Sequence, residues 1–381
     1  MKLREWKKRL GVEMAKCLRC GKESILISSP LEVCADCIRS HFDEVKAHIQ
    51  KLHAASRETF GLPPKAPKAE NGLQCNACVN LCRVPPGERG YCGVRLNRGE
   101  NFSGGTADEG NLVWYYDSLP TNCVADWVCP GGTECGYPEF SHAGSPEYGY
   151  KNLAVFFNAC SFNCLFCQNW HYREESLAKG RFPPEEIADN VDERTSCICY
   201  FGGDPAVQIQ YSLEASRLAL EKRKGKVLRI CWETNGSEKA EYLQRMAEIA
   251  LRSGGCIKFD LKAWHEELHL ALCGVTNRRT LANFKRLAKH IDQRPEPPLL
   301  VASTLLVPGY VEEEEVGKIA EFIASLNPDI PYSLLGFHPH FYMRDLPRTS
   351  RTHAEKCVEA ARRSGLNRVK IGNVHLLGDK Y

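Results

Sequence analysis

Three cysteines are grouped in the segment ACSFNCLFCQNW, at Cys160, Cys164 and Cys167. Thiolates are natural ligands of iron–sulfur clusters, and four of them would satisfy all four irons of a [4Fe–4S] cluster. Three ligands on one short loop leave one iron open to a further molecule. The alternatives are a chance grouping or a structural zinc site. The spacing favours an iron–sulfur cluster that takes part in chemistry.

A second group consists of two CxxC pairs near the start of the chain, separated by thirteen residues. Its members are Cys17, Cys20, Cys34 and Cys37. This spacing is typical of a zinc ribbon, in which four thiolates surround the ion and leave no open position. Such a module would fold only with its metal. The alternative is a set of unmetallated cysteines in a disordered tail.

A third group lies on a turn-rich stretch, QCNACVNLCRVPPGERGYCGVR, and consists of Cys75, Cys78, Cys82 and Cys92. Four thiolates could hold zinc or an auxiliary iron–sulfur cluster, and the spacing does not decide between them. We favour zinc, because a segment with so little regular pattern could use a closed structural site.

A fourth group, Cys123, Cys129 and Cys135, needs a further ligand, for which His142 or a substrate is available. The functional interpretation places these thiols beside the cluster on the Cys160 loop, and the alternative is that they are buried incidentally. Among the isolated cysteines, Cys199 and Cys231 fall in predicted strands and are interpreted most simply as core residues.

The elements that position the first group are short apolar runs alternating with helical stretches from about residue 152 onward. We count six β–α units, which predicts parallel strands with helices outside. The fold class is therefore α/β, a partial (β/α)6 TIM-type barrel. The Cys160 loop directly follows the first predicted barrel strand, and barrel active sites lie at C-terminal strand ends.

The chain upstream of the barrel divides by composition. Residues 39–58 have the spacing of an amphipathic helix, and 61–72 (GLPPKAPKAENG) has the composition of a linker. The predicted organisation is a zinc-ribbon-like module with a helix at 1–60, a linker at 61–72, a Cys-rich metal-binding module at 73–150 and the barrel at 151–381.

Composition limits the other classes of function. The chain has 381 residues, 20 cysteines and a net charge of +3, which is too small to argue for nucleic acid by itself. We find no apolar run long enough for a membrane span, and the basic start lacks the apolar region of a secretory signal. Clustered thiols without export signals indicate a metal protein in reduced, cytoplasmic surroundings.

The CxxxCxxC loop, with Phe166 before its last cysteine, resembles the signature of the radical S-adenosylmethionine (SAM) superfamily. CYFGGDP at 199–205 resembles that family's GGE motif. WETNG at 232–236, FDLK at 259–262 and LLGFH at 334–338 resemble segments of pyruvate formate-lyase activating enzyme. The Cys box ending in CGVR, CQNW and FHPHFYMRDLPRT are similar to the AmmeMemoRadiSam group.

The resemblance implies a [4Fe–4S] cluster on Cys160, Cys164 and Cys167 and a set of SAM-binding residues. These are Phe166, Gly202, Gly203, Asp204, Glu233, Asn235, Asp260, Lys262 and His338. Three positions depart from the activase pattern: Asp204 replaces a Glu, Glu233 replaces an Asp, and Ser303 replaces a SAM-binding Arg. The activase substrate therefore does not transfer automatically.

The implied function is reductive cleavage of SAM to a 5′-deoxyadenosyl radical that removes hydrogen from a substrate. The electron would come from a donor such as ferredoxin or flavodoxin. We expect a macromolecular substrate, a protein rather than a nucleic acid, because about 150 residues of metal-bound structure precede the barrel. The alternatives are a glycyl-radical-enzyme activase proper and a non-catalytic zinc or iron–sulfur adaptor, or nucleic-acid-binding protein.

Overall fold

A computed structural model describes residues 14–178, 181–379 and 381. The predicted module at 1–60 begins in residues 1–13, which lie outside the described residues. The described part upstream of the barrel contains three small hairpins and two helices. They are β1 (Ala15–Lys16), β2 (Glu23–Ser24), α1 (Ala35–Ser40), α2 (Phe42–Glu58), β3 (Leu73–Gln74), β4 (Arg83–Val84), β5 (Leu96–Asn97) and β6 (Phe102–Ser103).

One eight-stranded sheet forms the centre of the molecule, and its strands are neighbours in chain order. They are β7 (Leu112–Ser118), β8 (Lys151–Phe157), β9 (Thr195–Gly202), β10 (Arg229–Thr234), β11 (Ile257–Asp260), β12 (Leu300–Leu306), β13 (Tyr332–Gly336) and β14 (Val369–Gly372). Strands β8 to β14 are parallel, whereas β7 runs antiparallel to β8. The sheet is open, because β7 and β14 do not pair within the described residues.

Helices follow the parallel strands β8 to β13, as is usual for the connections of a parallel sheet. They are α3 (Tyr172–Glu175), α4 (Pro184–Asp189), α5 (Ile209–Lys222), α6 (Ala240–Ser253), α7 (Glu266–Cys273), α8 (Arg278–Ala288), α9 (Glu313–Leu326) and α10 (Arg351–Arg363). The predicted α/β class and its six β–α units are confirmed. The sequence analysis did not predict β7 at one edge or β14 at the other. No helix in the described chain is both long and apolar enough to cross a membrane.

The segment 119–150 enters the barrel from the N-terminal ends of the strands, and we call it the plug. Arg229, the first residue of β10, forms a buried ion pair with Glu147 of the plug at 2.6 Å. Further up, the indole Nε1 of Trp127 donates to Ser333 Oγ at 3.0 Å. The plug therefore packs inside the N-terminal half of the barrel.

The part of the chain upstream of the barrel is in direct contact with the barrel. The backbone amide of Ser28 donates to the hydroxyl of Tyr310 at 3.0 Å, and that hydroxyl donates to the carbonyl of Val33. In the segment 61–72, Leu62 is buried and the amide of Ala69 donates to the carbonyl of Arg83. The boundaries at 60, 72 and 150 stay a prediction.

Candidate active site

The loop carrying Cys160, Cys164 and Cys167 leaves the C-terminal end of β8 and turns towards the barrel axis. The first two cysteines are buried and the third is half-buried, and all three line one cavity at the top of the sheet. Three thiols of a single loop therefore face one space, which is the donor arrangement that the sequence predicts.

The loop is held from outside by the helices next to it. The backbone amide of Asn163 donates to the carbonyl of Cys273, and that of Leu165 donates to the carbonyl of Leu272, at the end of α7. The side-chain amide of Asn163 donates to Ser56 Oγ of α2 at 2.7 Å. These bonds fix the backbone on which the cysteines stand.

Burial raises the pKa of the Cys160 thiol well above its ordinary value, and the neighbouring Asp204 and Cys164 raise it further. Thiolates at these positions therefore need a compensating positive charge, which the irons of a cluster would supply. The donor set fits a [4Fe–4S] cluster with three protein ligands.

Arg173 adds a buried cation to the same cavity. It follows the cysteine loop on α3, and its guanidinium donates to Asn163 Oδ1 at 3.2 Å. The side chain is 1% exposed and stacks on the ring of Phe341. A fixed positive charge beside Cys167 can offset the negative charge of thiolate ligands, or it can bind the carboxylate of a ligand.

The glycines of the GGD segment bring β9 against the cysteine loop. A Cβ on Gly203 would lie 2.3 Å from the carbonyl oxygen of Ala159, and Gly202 has φ +106. The amide of Gly203 donates to the carbonyl of Phe157, and that of Asp204 donates to the carbonyl of Ala159. The close approach that needs glycine is therefore made to the backbone preceding Cys160.

The carboxylate of Asp204 joins two strand ends. It accepts from the backbone amides of Ala206 at 2.7 Å and Asn235 at 2.6 Å, and from the hydroxyl of Thr234. Burial raises its pKa to about 7 in spite of these bonds. Asp204 lines the cavity while holding the GGD and ETNG segments together, so it acts through position as well as charge.

Glu233 and Asn235 line the cavity from the end of β10. Asn235 Nδ2 donates to Ser161 Oγ at 2.8 Å, which ties this strand end to the cysteine loop. Glu233 Oε1 lies 2.9 Å from the ammonium of Lys258 on β11, a side chain that is 2% exposed. The strand ends thus supply both charges to the cavity floor.

The far wall comes from β11 and β12. Lys262 forms an ion pair with Asp260 and lies 5.6 Å above the ring of Phe166. Ser303, at the position where activases carry an Arg, also lines the cavity. Paired charges and an aromatic face are the groups that an amino acid joined to a nucleoside would need.

His338 is the one SAM-binding candidate that does not line the active-site cavity. It follows β13, but it is not among the described residues that line the cavity. Its ring centroid lies 4.9 Å from that of His340. The other candidates all line the active-site cavity: Phe166, Gly202, Gly203, Asp204, Glu233, Asn235, Asp260 and Lys262.

The first two CxxC pairs converge. The sulfurs of Cys17, Cys20, Cys34 and Cys37 all lie within 4.8 Å of one another, as one tetrahedral ion requires. Although burial acts to raise it, hydrogen bonds from the amides of Cys20, Cys34 and Arg19 lower the pKa of the Cys17 thiol to about 6. This group has the geometry of a metal-binding site.

The third group packs directly behind the cysteine loop. Asn80, between Cys78 and Cys82, donates from Nδ2 to the carbonyl of Ser161 at 2.7 Å. Burial raises the pKa of the Cys78 thiol, and the nearby Cys75 and Cys92 raise it further. All four thiols are buried, but within the described residues no three of them lie as close together as the sulfurs of the Cys17 group, and the choice between zinc and an iron–sulfur cluster stays open.

Lys258 and Arg173 are the residues of the site that the sequence analysis missed. The signal for Lys258 was present, because a strand directs alternate residues to one face. Asp260 faces the barrel, so Lys258 must face it too. Nothing local predicts Arg173, whose position depends on how α3 folds back over the loop.

Comparison with known proteins agrees with this geometry. Residues 154–323 match the model of the Radical SAM superfamily. The cysteine loop, the strand ends around it and the open barrel are therefore a radical SAM domain.

Relatives extend the match. The uncharacterized protein MJ0808 of Methanocaldococcus jannaschii is 27% identical over 312 residues, covering 80% of this chain and 82% of that protein. The isethionate sulfite-lyase activating enzyme of Desulfovibrio desulfuricans is 29% identical over 153 residues, 38% of this chain and 45% of that enzyme.

The pyruvate formate-lyase 1-activating enzyme of Escherichia coli is 24% identical over 207 residues, which are 52% of this chain and 79% of that enzyme. The chain thus carries a radical SAM domain and is an enzyme similar to pyruvate formate-lyase activating enzymes. That family implies a [4Fe–4S] cluster and SAM as cofactors.

Proposed function

We propose that this enzyme cleaves SAM reductively at a [4Fe–4S] cluster held by Cys160, Cys164 and Cys167 and removes hydrogen from a protein substrate. The observation that carries the proposal is the single cavity into which all three thiols and the charged ends of β10 and β11 project. When bound, cluster and SAM supply a 5′-deoxyadenosyl radical.

The residues around the cavity divide the recognition of SAM by charge. Glu233 and Asp260 are acceptors for an ammonium, and each already faces a lysine that limits its net charge. Lys262 and Arg173 are donors for a carboxylate. Phe166 offers a ring face beside Lys262. The cavity is therefore matched to a zwitterionic amino-acid group.

A protein substrate is supported by the relatives whose names state that they activate an enzyme. Two differences stand against assigning the same acceptor. The alignment with the isethionate sulfite-lyase activating enzyme spans 45% of that enzyme, and Ser303 stands where activases carry an Arg. The proposal is thus hydrogen abstraction from a protein, with glycyl-radical activation as one case of it.

The chemistry is tested by anaerobic purification and assay with SAM and dithionite, with 5′-deoxyadenosine measured by chromatography. Cys164→Ala is expected to abolish the product and to remove the associated iron. Cys34→Ser, in the separate metal-binding group, is the matched control and should retain cleavage. Cleavage at the wild-type rate by Cys164→Ala would refute the assignment, and a colourless wild-type protein without product would favour the adaptor alternative.

The substrate class is tested by deuterium transfer. Cells that make this protein are grown in heavy water, and their extract is separated into protein, nucleic acid and small-molecule fractions. The enzyme is expected to form deuterated 5′-deoxyadenosine with the protein fraction and an electron donor such as flavodoxin or ferredoxin. Deuterium gained only from another fraction would contradict a protein substrate while leaving SAM cleavage intact.

A further inference from the structure

A second cavity lies inside the barrel, nearer the N-terminal ends of the strands than the first. Six cysteines line it: Cys123, Cys129, Cys197, Cys199, Cys231 and Cys256. The two cavities share Phe201, Glu233 and Lys258. None of these six thiols belongs to the loop that carries Cys160.

Three of the six stand at one level on adjacent strands. Cys199 of β9 is the register partner of Cys231 on β10. Trp232 pairs with Ile257, which places Cys256 beside Cys231 at the start of β11. The sulfurs of Cys231 and Cys256 are 3.9 Å apart. Parallel register therefore builds a row of thiols across the barrel wall.

The plug brings a fourth sulfur to the row. Lys258 Nζ donates to Cys123 Sγ at 3.2 Å and to Cys199 Sγ at 3.1 Å. Neutral thiols are weak acceptors, and a buried ammonium needs charged or strongly polar partners. Glu233 supplies one such partner, at 2.9 Å. The contacts of Lys258 with Cys123 and Cys199 would be favourable if both sulfurs were thiolates bound to a metal centre, because thiolates carry negative charge.

The spacing distinguishes a cluster from a single ion. Zinc with Zn–S bonds of about 2.3 Å in a tetrahedron holds its four sulfurs about 3.8 Å apart. The sulfurs of Cys17, Cys20, Cys34 and Cys37 lie within 4.8 Å of one another, but within the described ranges no barrel cysteine belongs to a set of three that close together. An iron–sulfur cluster distributes its thiolates over several irons and accepts wider spacing.

We propose that Cys123, Cys199, Cys231 and Cys256 hold a second iron–sulfur cluster inside the barrel, with Lys258 as the cation beside it. Four thiolates complete a [2Fe–2S] cluster and leave no iron open, and the 3.9 Å between the sulfurs of Cys231 and Cys256 fits two thiolates on one iron. Lys258, a side chain that is 2% exposed, offsets part of their negative charge. This inference does not depend on SAM cleavage.

The test uses the full chain with Cys160, Cys164 and Cys167 replaced by Ala, reconstituted anaerobically with iron and sulfide. Iron and acid-labile sulfide are measured per chain before and after adding Cys199→Ser and Cys231→Ser. The added pair is expected to remove about two irons per chain, the content of one [2Fe–2S] cluster. Cys357→Ser, a buried cysteine of α10, is the matched control and should remove none.

Equal iron in the two backgrounds, or zinc in place of iron, would overturn the proposal. Thermal unfolding of each variant checks that it folds. If the serine pair does not fold, Lys258→Met in the same triple background keeps every ligand. Loss of the cation should move the midpoint potential of the remaining cluster to more negative values. A potential unchanged by this substitution would also overturn the proposal.

Discussion

The side-chain amide of Asn163 donates a hydrogen bond to the hydroxyl of Ser56, with 2.7 Å between Nδ2 and Oγ. Asn163 belongs to the loop that carries the three cysteines, and Ser56 belongs to α2, more than a hundred residues upstream. The same amide lies 3.0 Å from His53 Nδ1. Helix α2 thus packs against the active-site loop, although the linker-like segment that follows this helix suggested that it belongs to a separate module.

Replacement of Asn163 by Ala should destabilise the protein and lower its iron content. Ser56 and Arg173 would be left with unpaired polar atoms in a buried site, a cost of about 1–3 kcal/mol. Denaturant unfolding and iron analysis measure both effects. Asn367→Ala, at an exposed position bonded to Asp329, is the control and should change stability by less than about 0.5 kcal/mol. Wild-type stability and iron in Asn163→Ala would contradict the role.

Replacement of Asp204 by Ala should weaken SAM binding by about 1–3 kcal/mol, the scale of lost hydrogen bonds to a charged group. The amides of Ala206 and Asn235 would lose their acceptor, and the ETNG segment would no longer be fixed against β9. Titration of the reconstituted protein with SAM measures the affinity. Asp189→Ala, at an exposed carboxylate paired with Lys222, is the matched control. An unchanged affinity for SAM would show that Asp204 does not contribute to SAM binding.

Replacement of Glu147 by Gln should destabilise the fold by about 3–5 kcal/mol, because it leaves the guanidinium of Arg229 buried without its counter-charge. The double variant Glu147→Leu with Arg229→Met should recover much of this loss, since it removes both charges. Chemical unfolding of the single and double variants gives the comparison. A single variant as stable as wild type would show that the plug is held by other contacts.

The same pair predicts a pH dependence. Although burial acts to raise it, Arg229 lowers the pKa of Glu147 below its ordinary value of 4.5. The stabilisation is therefore fully present above pH 4.5 and is lost as the pH falls through the lower folded-state pKa. Glu147→Gln should reduce the acid dependence of unfolding in that range. An identical acid limb in wild type and variant would contradict the assignment.

The sequence predicted the barrel because strands buried on both faces appear as continuous apolar runs, and six of these alternate with helices. It could not predict β14, a four-residue strand whose side chains are all only partly buried. The edge strand β7 contains the apolar and aromatic run LVWYY, but it lies in the Cys-rich stretch predicted to be a metal-binding module, and its Val113, Tyr115 and Tyr116 are exposed. A run of apolar residues indicates a strand buried on both faces, and β7 and β14 are the two edge strands of the sheet, where side chains are less buried.

Within the site, the sequence predicted residues whose role depends on local spacing, such as Cys160 and Gly203. Its interpretation of Cys199 and Cys231 as buried core residues is confirmed, but it did not place them in a row beside Lys258. That row exists only through the register of β9, β10 and β11, which no local pattern specifies. Long-range register and the path of the plug are what the sequence did not show.

The upstream part of the chain should separate into two functions that different variants distinguish. Cys20→Ser with Cys34→Ser removes two ligands of the metal-binding group while α2 remains in place. We expect loss of about one zinc per chain with SAM cleavage largely retained, because these cysteines do not face the active-site cavity. If this module docks the protein substrate, turnover of that substrate should fall steeply in the same variant.

Deletion of residues 1–60 removes α2 as well, so Asn163 loses both His53 and Ser56. We therefore expect this variant, unlike the zinc-site variant, to lose iron and SAM cleavage together. Metal analysis and 5′-deoxyadenosine formation, measured on both variants in parallel, provide the comparison. A deletion variant that keeps wild-type iron and cleavage would show that the cysteine loop folds without α2, and that the upstream part serves docking alone.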